Sequence, residues 1–385
     1  MDAKTKRVKI ALDGNNLSID NFLYIVKGDE DGVYPEVYLP DHVRESLAQL
    51  REKIIGLIQK RIIYGFNTGC GENRNRIIPN EDIIRYQKKY ICTHACGSGP
   101  PLPIEHVRGM MLARINSFAK GCSGVSLELV EFLVKLLNAN IMPIVPSFGS
   151  VGASGDLVPL AHMMFPFIKA GPDFKGTIDE EVQVIYNYQF VEVSIPFAEH
   201  GLDFLELGPK EAMATTNGAT LILSQGILAW DRARELMKIA NINTALGMEA
   251  TRGELDAFSI NLNAARCHEG QSVVAKDVRS MLLTSKRVTR EAQVVDFRSP
   301  DYLHQLREVI EACDNGGEIC VDELKKELAR VPGAPRVQDR YSTRCVPQVH
   351  GSVQETIWAC EQVLQDELNS ATDNPLVFLG EQYED

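Results

Sequence analysis

The sequence predicts a mainly α-helical protein, a large bundle of long helices with a small α/β region near the N-terminus. Three observations lead to this fold class: long segments of helical hydrophobic period, few strand-like segments, and an ordinary globular composition. Hydrophobic residues make up 44% and charged residues 24% of the 385 residues, so neither a disordered nor a fibrous chain is expected. That length accommodates two or three domains, or one large one.

Three segments carry the helical signal. Residues 126–140 and 219–250 are apolar around most of the helical circumference, as helices inside a large bundle are. Residues 352–370 instead place apolar side chains at steps of three and four, which predicts one buried stripe. The stripe consists of Val353, Ile357, Cys360, Leu364 and Leu368.

Strand signals are confined to residues 7–12 and 181–195, which are rich in Val, Ile and Tyr. They predict a small accessory sheet. We expect two domains, because loop-rich sequence gives way to long helices near residue 220. Residues 1–220 would form the N-terminal domain, and residues 221–385 the central long-helix bundle.

Charge and composition argue against several partners. The chain has 52 acidic and 40 basic residues, a net charge of -12, and no basic run interleaved with aromatic residues. We therefore expect it to bind neither nucleic acid nor a membrane. The N-terminal residues lack the apolar stretch of a signal peptide, and no run of about 18 or more apolar residues occurs. These features predict a cytoplasmic protein.

The nine cysteines form an odd set without a CxxC pair, which predicts free thiols. Cys92 and Cys96 flank His94. A structural zinc site normally needs four ligands, so this incomplete set does not predict a metal site.

A glycine- and serine-rich stretch, GSVGASGDL, spans residues 149–157 and precedes a helical pattern. One interpretation is a glycine loop that feeds a helix, with Ser154 or Asp156 capping the free amides. The alternative is chemical. Ala153, Ser154 and Gly155 have what a backbone needs to cyclise on itself, because glycine offers an unhindered amide nitrogen and free φ and ψ angles.

Such a cyclisation would join the Gly155 nitrogen to the Ala153 carbonyl carbon and lose water, and loss of the Ser154 hydroxyl would leave an exocyclic methylidene. The product is an electrophile. Standard side chains supply acids, bases and nucleophiles but no strong electrophile, so such a group fills the place that a cofactor usually takes.

Other stretches supply polar partners in a fixed order along the chain. They are IIYGFNTGCGENRN (62–75), YICTHACGSGPPLP (90–103), KEAMATTNGAT (210–220), RVQDRYSTRCVPQVHG (336–351) and ELNSATDNPLVF (367–378). Together with GSVGASGDL, they resemble the aromatic amino acid ammonia-lyase and aminomutase family over about four-fifths of the chain. Among members, GSVGASGDL and the Thr93-His94 pair are most similar to histidine ammonia-lyase.

The resemblance implies a family-like homotetramer core and a prosthetic group, 4-methylideneimidazole-5-one (MIO), formed autocatalytically from Ala153, Ser154 and Gly155. It implies no metal and no soluble cofactor. Tyr64 would be the base that removes the substrate β-proton, where an ordinary packed aromatic is the alternative. Arg344 would hold the substrate carboxylate, where a surface salt bridge is the alternative.

Four further residues receive roles from the resemblance. Asn217 and Gln338 would lie near the prosthetic group and the substrate. The alternative is that their side-chain amides are buried and hydrogen-bonded within the protein. Tyr341 would assist proton handling or ring formation and, three residues before Arg344, would share its helical turn. His94 would meet the substrate side chain, or else be structural.

The implied reaction is elimination of ammonia from an aromatic L-amino acid, with L-histidine giving trans-urocanate. A tyrosine or phenylalanine ammonia-lyase, a 2,3-aminomutase and an inactive partner subunit are the alternatives. Cys70 and Thr343 depart from the family pattern near the expected pocket, which leaves substrate choice open. Relatives continue well past residue 378, so we expect either a fragment or a second chain that supplies C-terminal helices.

Overall fold

The computed structural model describes residues 7–152, 155–169, 182–289 and 338–378. Within these ranges the protein is mostly helical, as predicted. The α-helices are Ile19–Lys27 (α1), Asp41–Ile58 (α2), Ile83–His94 (α3), Ile104–Ala119 (α4), Leu127–Asn138 (α5), Leu157–Met164 (α6), Ser194–His200 (α7), Glu211–Thr216 (α8), Thr220–Thr251 (α9), Ile260–Ala264 (α10), Glu269–Met281 (α11), Tyr341–Arg344 (α12) and Val346–Leu368 (α13). The strands are Lys9–Ala11 (β1), Glu36–Tyr38 (β2), Ser98–Pro101 (β3), Met142–Pro143 (β4), Pro146–Phe148 (β5), Gln183–Tyr186 (β6) and Gln189–Glu192 (β7).

The chain divides into two compact units. The first consists of Met1–Ala229 and Glu361–Asp385, and the second of Trp230–Cys360. The domain boundary expected near residue 220 stays a prediction.

The long helices form where the hydrophobic period places them. Helix α5 begins after Ser126, whose Oγ accepts a hydrogen bond from the Leu129 amide at 3.2 Å. This serine satisfies one of the amides that a helix start leaves unpaired. Helix α9 covers Thr220–Thr251, close to the predicted residues 219–250.

The predicted strands form small sheets. Strand β1 pairs in parallel with β2. Strands β6 and β7 form an antiparallel hairpin, and β6 also pairs antiparallel with β4. Asn187 and Tyr188 connect β6 to β7 with φ angles of 50° and 60°. Two consecutive positive φ angles are typical of the tight turn whose twist matches a hairpin.

The buried stripe predicted for helix α13 is only partly correct. Ile357 and Leu368 are 7% and 1% exposed, whereas Val353 is 46% exposed and Cys360 is also exposed. The period identifies the apolar side of a helix, but it does not establish that another part of the same chain covers that side. Helix α9 likewise exposes apolar side chains, with Leu236 and Leu246 at 64% and 61%.

The first unit holds the elements that position the site. Helix α4 is buried along almost its whole length and packs against α1 and α5. Helices α3, α6 and α8 pack against one another. None of the described helices is both long and apolar enough to cross a membrane.

A buried ion pair fixes the start of helix α8. Lys210, with a φ of 70°, donates from Nζ to Asp373 Oδ2 at 2.7 Å and to the Pro375 carbonyl at 2.6 Å, and it also donates to the Ser123 carbonyl. Both charged side chains are fully buried. Ser123 Oγ completes the network by donating to Asp373 Oδ1.

We expect Asp373→Asn to lower the free energy of unfolding by roughly 3–5 kcal/mol, because it leaves the Lys210 ammonium buried without its counter-charge. Urea denaturation measures this change. Glu235→Gln is the matched control, since it breaks the exposed Glu235–Lys238 pair and should change stability little. Equal effects of the two variants would contradict a structural role for the buried pair.

Candidate active site

One cavity of about 700 Å³ in the first unit brings together three of the predicted site residues. Tyr64, His94 and Asn217 all line it, although they come from three separate stretches of the chain. Cys70 and Leu157 contribute to the same wall. The loop after Tyr64, helix α3, the start of α6 and the end of α8 therefore enclose a common space.

Tyr64 stands at the beginning of the glycine-containing loop. Its phenol oxygen accepts a hydrogen bond from the Gly71 amide at 3.3 Å. Gly65, with a φ of 72°, follows directly, and the Met213 side chain occupies the place that a β-carbon on Gly65 would need. The Gly71 amide fills one acceptor position on the oxygen and leaves the phenol proton free to be shared with another group.

His94 is the last residue of helix α3 and is half-buried. Its Nδ1 lies 2.7 Å from the carbonyl oxygen of Tyr90, one helical turn earlier. The imidazole also stacks on the Tyr90 ring, with 4.2 Å between the ring centres and 24° between the planes. The imidazole is thus held both by a hydrogen bond along its own helix and by a ring contact.

The cavity wall next to His94 is aromatic and sulfur-rich. Burial raises the pKa of Tyr90 to about 12, and it also raises the pKa of Tyr86 and of the Cys70 thiol. Cys70 Sγ lies 3.3 Å from Met213 Sδ, and the Tyr86 hydroxyl accepts a hydrogen bond from the Cys70 amide at 3.2 Å. These groups are therefore uncharged near neutral pH.

The residue after Asn217 meets Gly155 through backbone pairing. Asn217 ends helix α8, and its neighbour Gly218 forms a parallel bridge with Gly155. The Asp156 amide donates to the Gly218 carbonyl at 2.7 Å. Gly155 has a φ of 88°, and a β-carbon there would collide with the Gly218 backbone. Only glycine fits this approach.

The carboxylate of Asp156 stabilises the region of the Gly155–Gly218 contact. It is fully buried, with Oδ1 accepting from the Ser150 hydroxyl at 2.8 Å. Oδ2 accepts from the amides of Leu221 and Ile222, at 2.9 and 3.0 Å. The interpretation in which Asp156 caps helix α6 is therefore wrong, because its side chain is turned toward the unpaired amides of helix α9 instead.

A buried cation lies behind this turn. Arg114 is fully buried and donates from Nη1 to the Ala214 carbonyl at 3.2 Å. Its Nε and Nη2 make no hydrogen bond to the described residues. Burial lowers its pKa to about 10, so the guanidinium keeps its charge at neutral pH. Because a β-carbon on Gly218 would overlap Nη2, this arginine limits the room at the Gly155–Gly218 contact.

The described part of the loop fits a ring-forming turn. Ala153 and Ser154 lie outside the described residues. Gly152 and Gly155 border them with φ angles of 68° and 88°, values that side-chain-bearing residues rarely adopt. The Gly155 position also has no room for a β-carbon, in agreement with the unhindered amide that cyclisation requires.

The remaining predicted site residues belong to the second unit. Gln338 is exposed and precedes helix α12, which spans Tyr341–Arg344. The Arg344 guanidinium lies 4.0 Å from the centre of the Tyr341 ring, so the spacing of three residues does bring these side chains together. Thr343 between them is half-buried. Their roles toward a substrate stay predictions.

The model for the aromatic amino acid lyase family matches residues 17–385 of the chain. The chain belongs to this family. It is 34% identical to histidine ammonia-lyase of Caldanaerobacter subterraneus subsp. tengcongensis over 371 residues, which are 96% of this chain and 62% of that protein. It is 32% identical to histidine ammonia-lyase of Bacillus cytotoxicus over 372 residues, with the same two shares.

Solved structures of the aromatic amino acid lyase fold are also similar. Tyrosine aminomutase from Streptomyces globisporus superposes with a TM-score of 0.78 and 30% identity, covering 97% of this chain and 64% of that one. Histidine ammonia-lyase from Trypanosoma cruzi gives a TM-score of 0.72 and 26% identity, covering 96% and 58%. The chain thus spans about three-fifths of the length of the curated relatives it matches.

Several residues around this cavity were not predicted from sequence. Tyr86 and Tyr90 precede His94 by eight and four residues, and that helical spacing was a readable sign of one shared face. Arg114 stands among apolar residues of α4, which is an unusual place for an arginine. Within the described ranges, no group of three or more His, Cys, Asp or Glu could hold a metal ion.

His162, to which the sequence assigned no role, contacts the loop between helix α3 and strand β3. Its Nε2 accepts a hydrogen bond from the Gly97 amide at 2.9 Å. Burial lowers the pKa of His162, since an imidazolium is poorly solvated there. The Gly97 amide also favours the neutral ring, because it needs an acceptor at Nε2.

We expect stability to fall as the pH drops below about 6.5, the ordinary histidine pKa, because the unfolded chain then binds a proton that folded His162 resists. His162→Gln should flatten this fall by up to about 1.4 kcal/mol per pH unit, as measured by urea denaturation between pH 7.5 and 5. His42→Gln, at an exposed position, is the control. An unchanged pH slope in the His162 variant would contradict the assignment.

Proposed function

We propose that this chain is an ammonia-lyase that converts L-histidine to trans-urocanate and ammonia. The observation that carries the proposal is the single cavity lined by Tyr64, His94 and Asn217, with Gly155 paired to the residue after Asn217. The histidine ammonia-lyases among its relatives support the choice of histidine.

The proposed electrophile is MIO, formed from Ala153, Ser154 and Gly155. When present, it supplies a methylidene carbon that accepts the substrate amine nitrogen and makes that nitrogen a better leaving group. The positive φ angles at Gly152 and Gly155 support a turn of this kind. Asp156 would hold the turn against helix α9 through the Leu221 and Ile222 amides.

In this proposal Tyr64 removes a proton from the substrate β-carbon. Tyr64 lines the cavity, and its oxygen already accepts a hydrogen bond from the Gly71 amide, a donor that stabilises negative charge on the oxygen. Loss of that proton and of the α-amine leaves a trans double bond between the α- and β-carbons.

The other predicted residues would bind and orient the substrate. Arg344 offers a planar fork of donors that matches a carboxylate, and its contact with the Tyr341 ring restricts its motion. Tyr341 would assist proton handling. Asn217 and Gln338 would supply amide donors and acceptors, and the Asn217 amide group is free for this because no described residue binds it.

A second candidate is the related chemistry on tyrosine or phenylalanine, as a lyase or a 2,3-aminomutase. The structural similarity to tyrosine aminomutase favours it. An inactive partner subunit is a third possibility. For any of these we propose a homotetramer acting in the cytoplasm, and the exposed apolar side chains Leu236, Ile239 and Leu246 of α9 support burial between subunits.

We expect the protein to release urocanate from histidine, followed by ultraviolet absorbance, and to give a mass lower by two waters than its sequence requires. Ser154→Ala should keep its full mass and lose at least about a thousandfold in rate, because it lacks the hydroxyl that leaves. Ser280→Ala, at an exposed position, is the control for a serine substitution. Equal rates in the Ser154 variant would overturn the proposed electrophile, and coumarate or a β-amino acid as product would favour the second candidate.

We expect Tyr64→Phe to lower kcat by about 100- to 10,000-fold, the usual contribution of a positioned base. The mass should still be lower by two waters, because ring formation does not need this phenol. Steady-state kinetics and intact mass spectrometry measure the two effects. A kcat close to that of the parent protein would exclude Tyr64 as the base.

A further inference from the structure

Two neighbouring amides of the loop that follows Tyr64 donate to two different tyrosine hydroxyls. The Gly71 amide donates to the Tyr64 oxygen at 3.3 Å. The Cys70 amide, one residue earlier, donates to the Tyr86 oxygen at 3.2 Å. Both tyrosines line the cavity, one at the start of the loop and the other on helix α3. The loop backbone at Cys70 and Gly71 thus connects the proposed base to a second phenol.

The local backbone leaves these two amides to the phenols. A short 3-10 helix covers Gly71–Asn73. The amides of Asn73 and Arg74 donate to the carbonyls three residues earlier, at 3.0 and 3.1 Å. The Cys70 and Gly71 amides stand before the first of these bonds, where a helix offers no acceptor. An acceptor from outside the turn must therefore fix their direction, and the two tyrosine hydroxyls supply it.

Tyr86 holds Cys70 at a second point as well. Its hydroxyl donates to the Cys70 sulfur besides accepting from the Cys70 amide. Burial raises the pKa of Tyr86, so the phenol keeps its proton for this bond at neutral pH. On the other side, Cys70 Sγ lies 3.3 Å from Met213 Sδ, and the Met213 side chain fills the space beside Gly65. Cys70 is therefore held between Tyr86 and Met213.

We propose that Tyr86 is a positioning residue for the proton transfer at Tyr64. By holding Cys70, its hydroxyl orients the next peptide, so that the Gly71 amide points at the Tyr64 oxygen. This inference rests on the proposed lyase function, in which that oxygen takes the substrate β-proton. A donor already aimed at an oxygen stabilises negative charge there without reorganisation during the reaction. Without the Tyr86 hydroxyl, the Gly71 amide can turn away and the oxygen loses this stabilisation.

Tyr86→Phe tests the proposal, because it removes the hydroxyl and keeps the ring. We expect kcat for histidine to fall about 3- to 10-fold, the effect of one neutral hydrogen bond, with KM within about twofold of the parent value. The intact mass should still be lower by two waters. Tyr38→Phe, at an exposed position outside the cavity lining, is the control and should leave kcat unchanged. The parent kcat in Tyr86→Phe would overturn the inference.

A double-mutant cycle separates positioning from a general structural effect. If Tyr86 acts through the Tyr64 oxygen, Tyr86→Phe should lower kcat no further in a protein that already carries Tyr64→Phe. Two residues that act independently would instead multiply their effects. A loss of kcat in the Tyr64→Phe background as large as in the parent protein would contradict the positioning role.

Hydrogen–deuterium exchange followed by mass spectrometry tests the contact without any turnover. In the parent protein we expect the Cys70 and Gly71 amides to exchange at least about tenfold more slowly than in an unstructured peptide, although Gly71 is exposed. Tyr86→Phe should speed exchange at both amides, whereas Tyr38→Phe should not. Equal exchange in the parent protein and in Tyr86→Phe would show that the hydroxyl does not hold the loop.

The failures of the two proposals are distinguishable. If no amino acid is deaminated but Tyr86→Phe speeds exchange, the contact stands and the lyase function fails. If the parent protein and Tyr86→Phe deaminate histidine equally well, the lyase function stands and the inference fails. If Tyr86→Phe does not fold, exchange in the parent protein decides, and unprotected Cys70 and Gly71 amides would overturn the inference.

Discussion

The Asp156 carboxylate makes the contact on which the rest of the site depends. It binds the first free amides of helix α9, while its own amide binds the Gly218 carbonyl. A negative group at a helix start is stabilised both by the amide donors and by the helix dipole. One buried residue thereby ties the glycine-rich loop to the turn that carries Asn217, through its amide, and to the longest helix described, through its carboxylate.

The surrounding polar groups support this anchor. Arg114 lies behind Gly218 as a buried cation, and Lys210 with Asp373 fixes the start of helix α8, whose end carries Asn217. The positive charges of Arg114 and Lys210 are accompanied in the same buried region by the negative charges of Asp156 and Asp373, which limits the free-energy cost of removing the charges from water. The cavity in front is lined by tyrosine and cysteine side chains whose pKa values burial raises, and also by the charged residues Arg76, Asp82, Arg85 and Lys89.

Much of the fold followed from sequence because its signals are local. The period of apolar residues predicted helices α5 and α9, and the Val- and Tyr-rich segment predicted strands, which the structure shows as the pair β6 and β7. The stripe on helix α13 failed at Val353 and Cys360, because a periodic pattern does not report which neighbour covers it. Of the predicted site, Tyr64, His94 and Asn217 meet in one cavity.

The contacts that the sequence did not predict join residues that lie far apart along the chain. One interpretation of the sequence made Ser154 or Asp156 the cap of the helix that follows, and nothing local indicates that the Asp156 carboxylate reaches amides 65 and 66 residues later in the chain. Such pairings require the tertiary structure, because no propensity or spacing rule encodes them.

The tight packing of Gly155 against Gly218 makes position 155 ambiguous as a probe of chemistry. Any side chain there would both crowd the nitrogen expected to close the ring and push two backbone segments apart. Loss of activity after a substitution at position 155 can therefore follow from either effect alone. An added methyl group at Gly218 would instead meet the Arg114 guanidinium and the Thr372 hydroxyl, so it disturbs the turn from its other side without crowding the nitrogen at position 155.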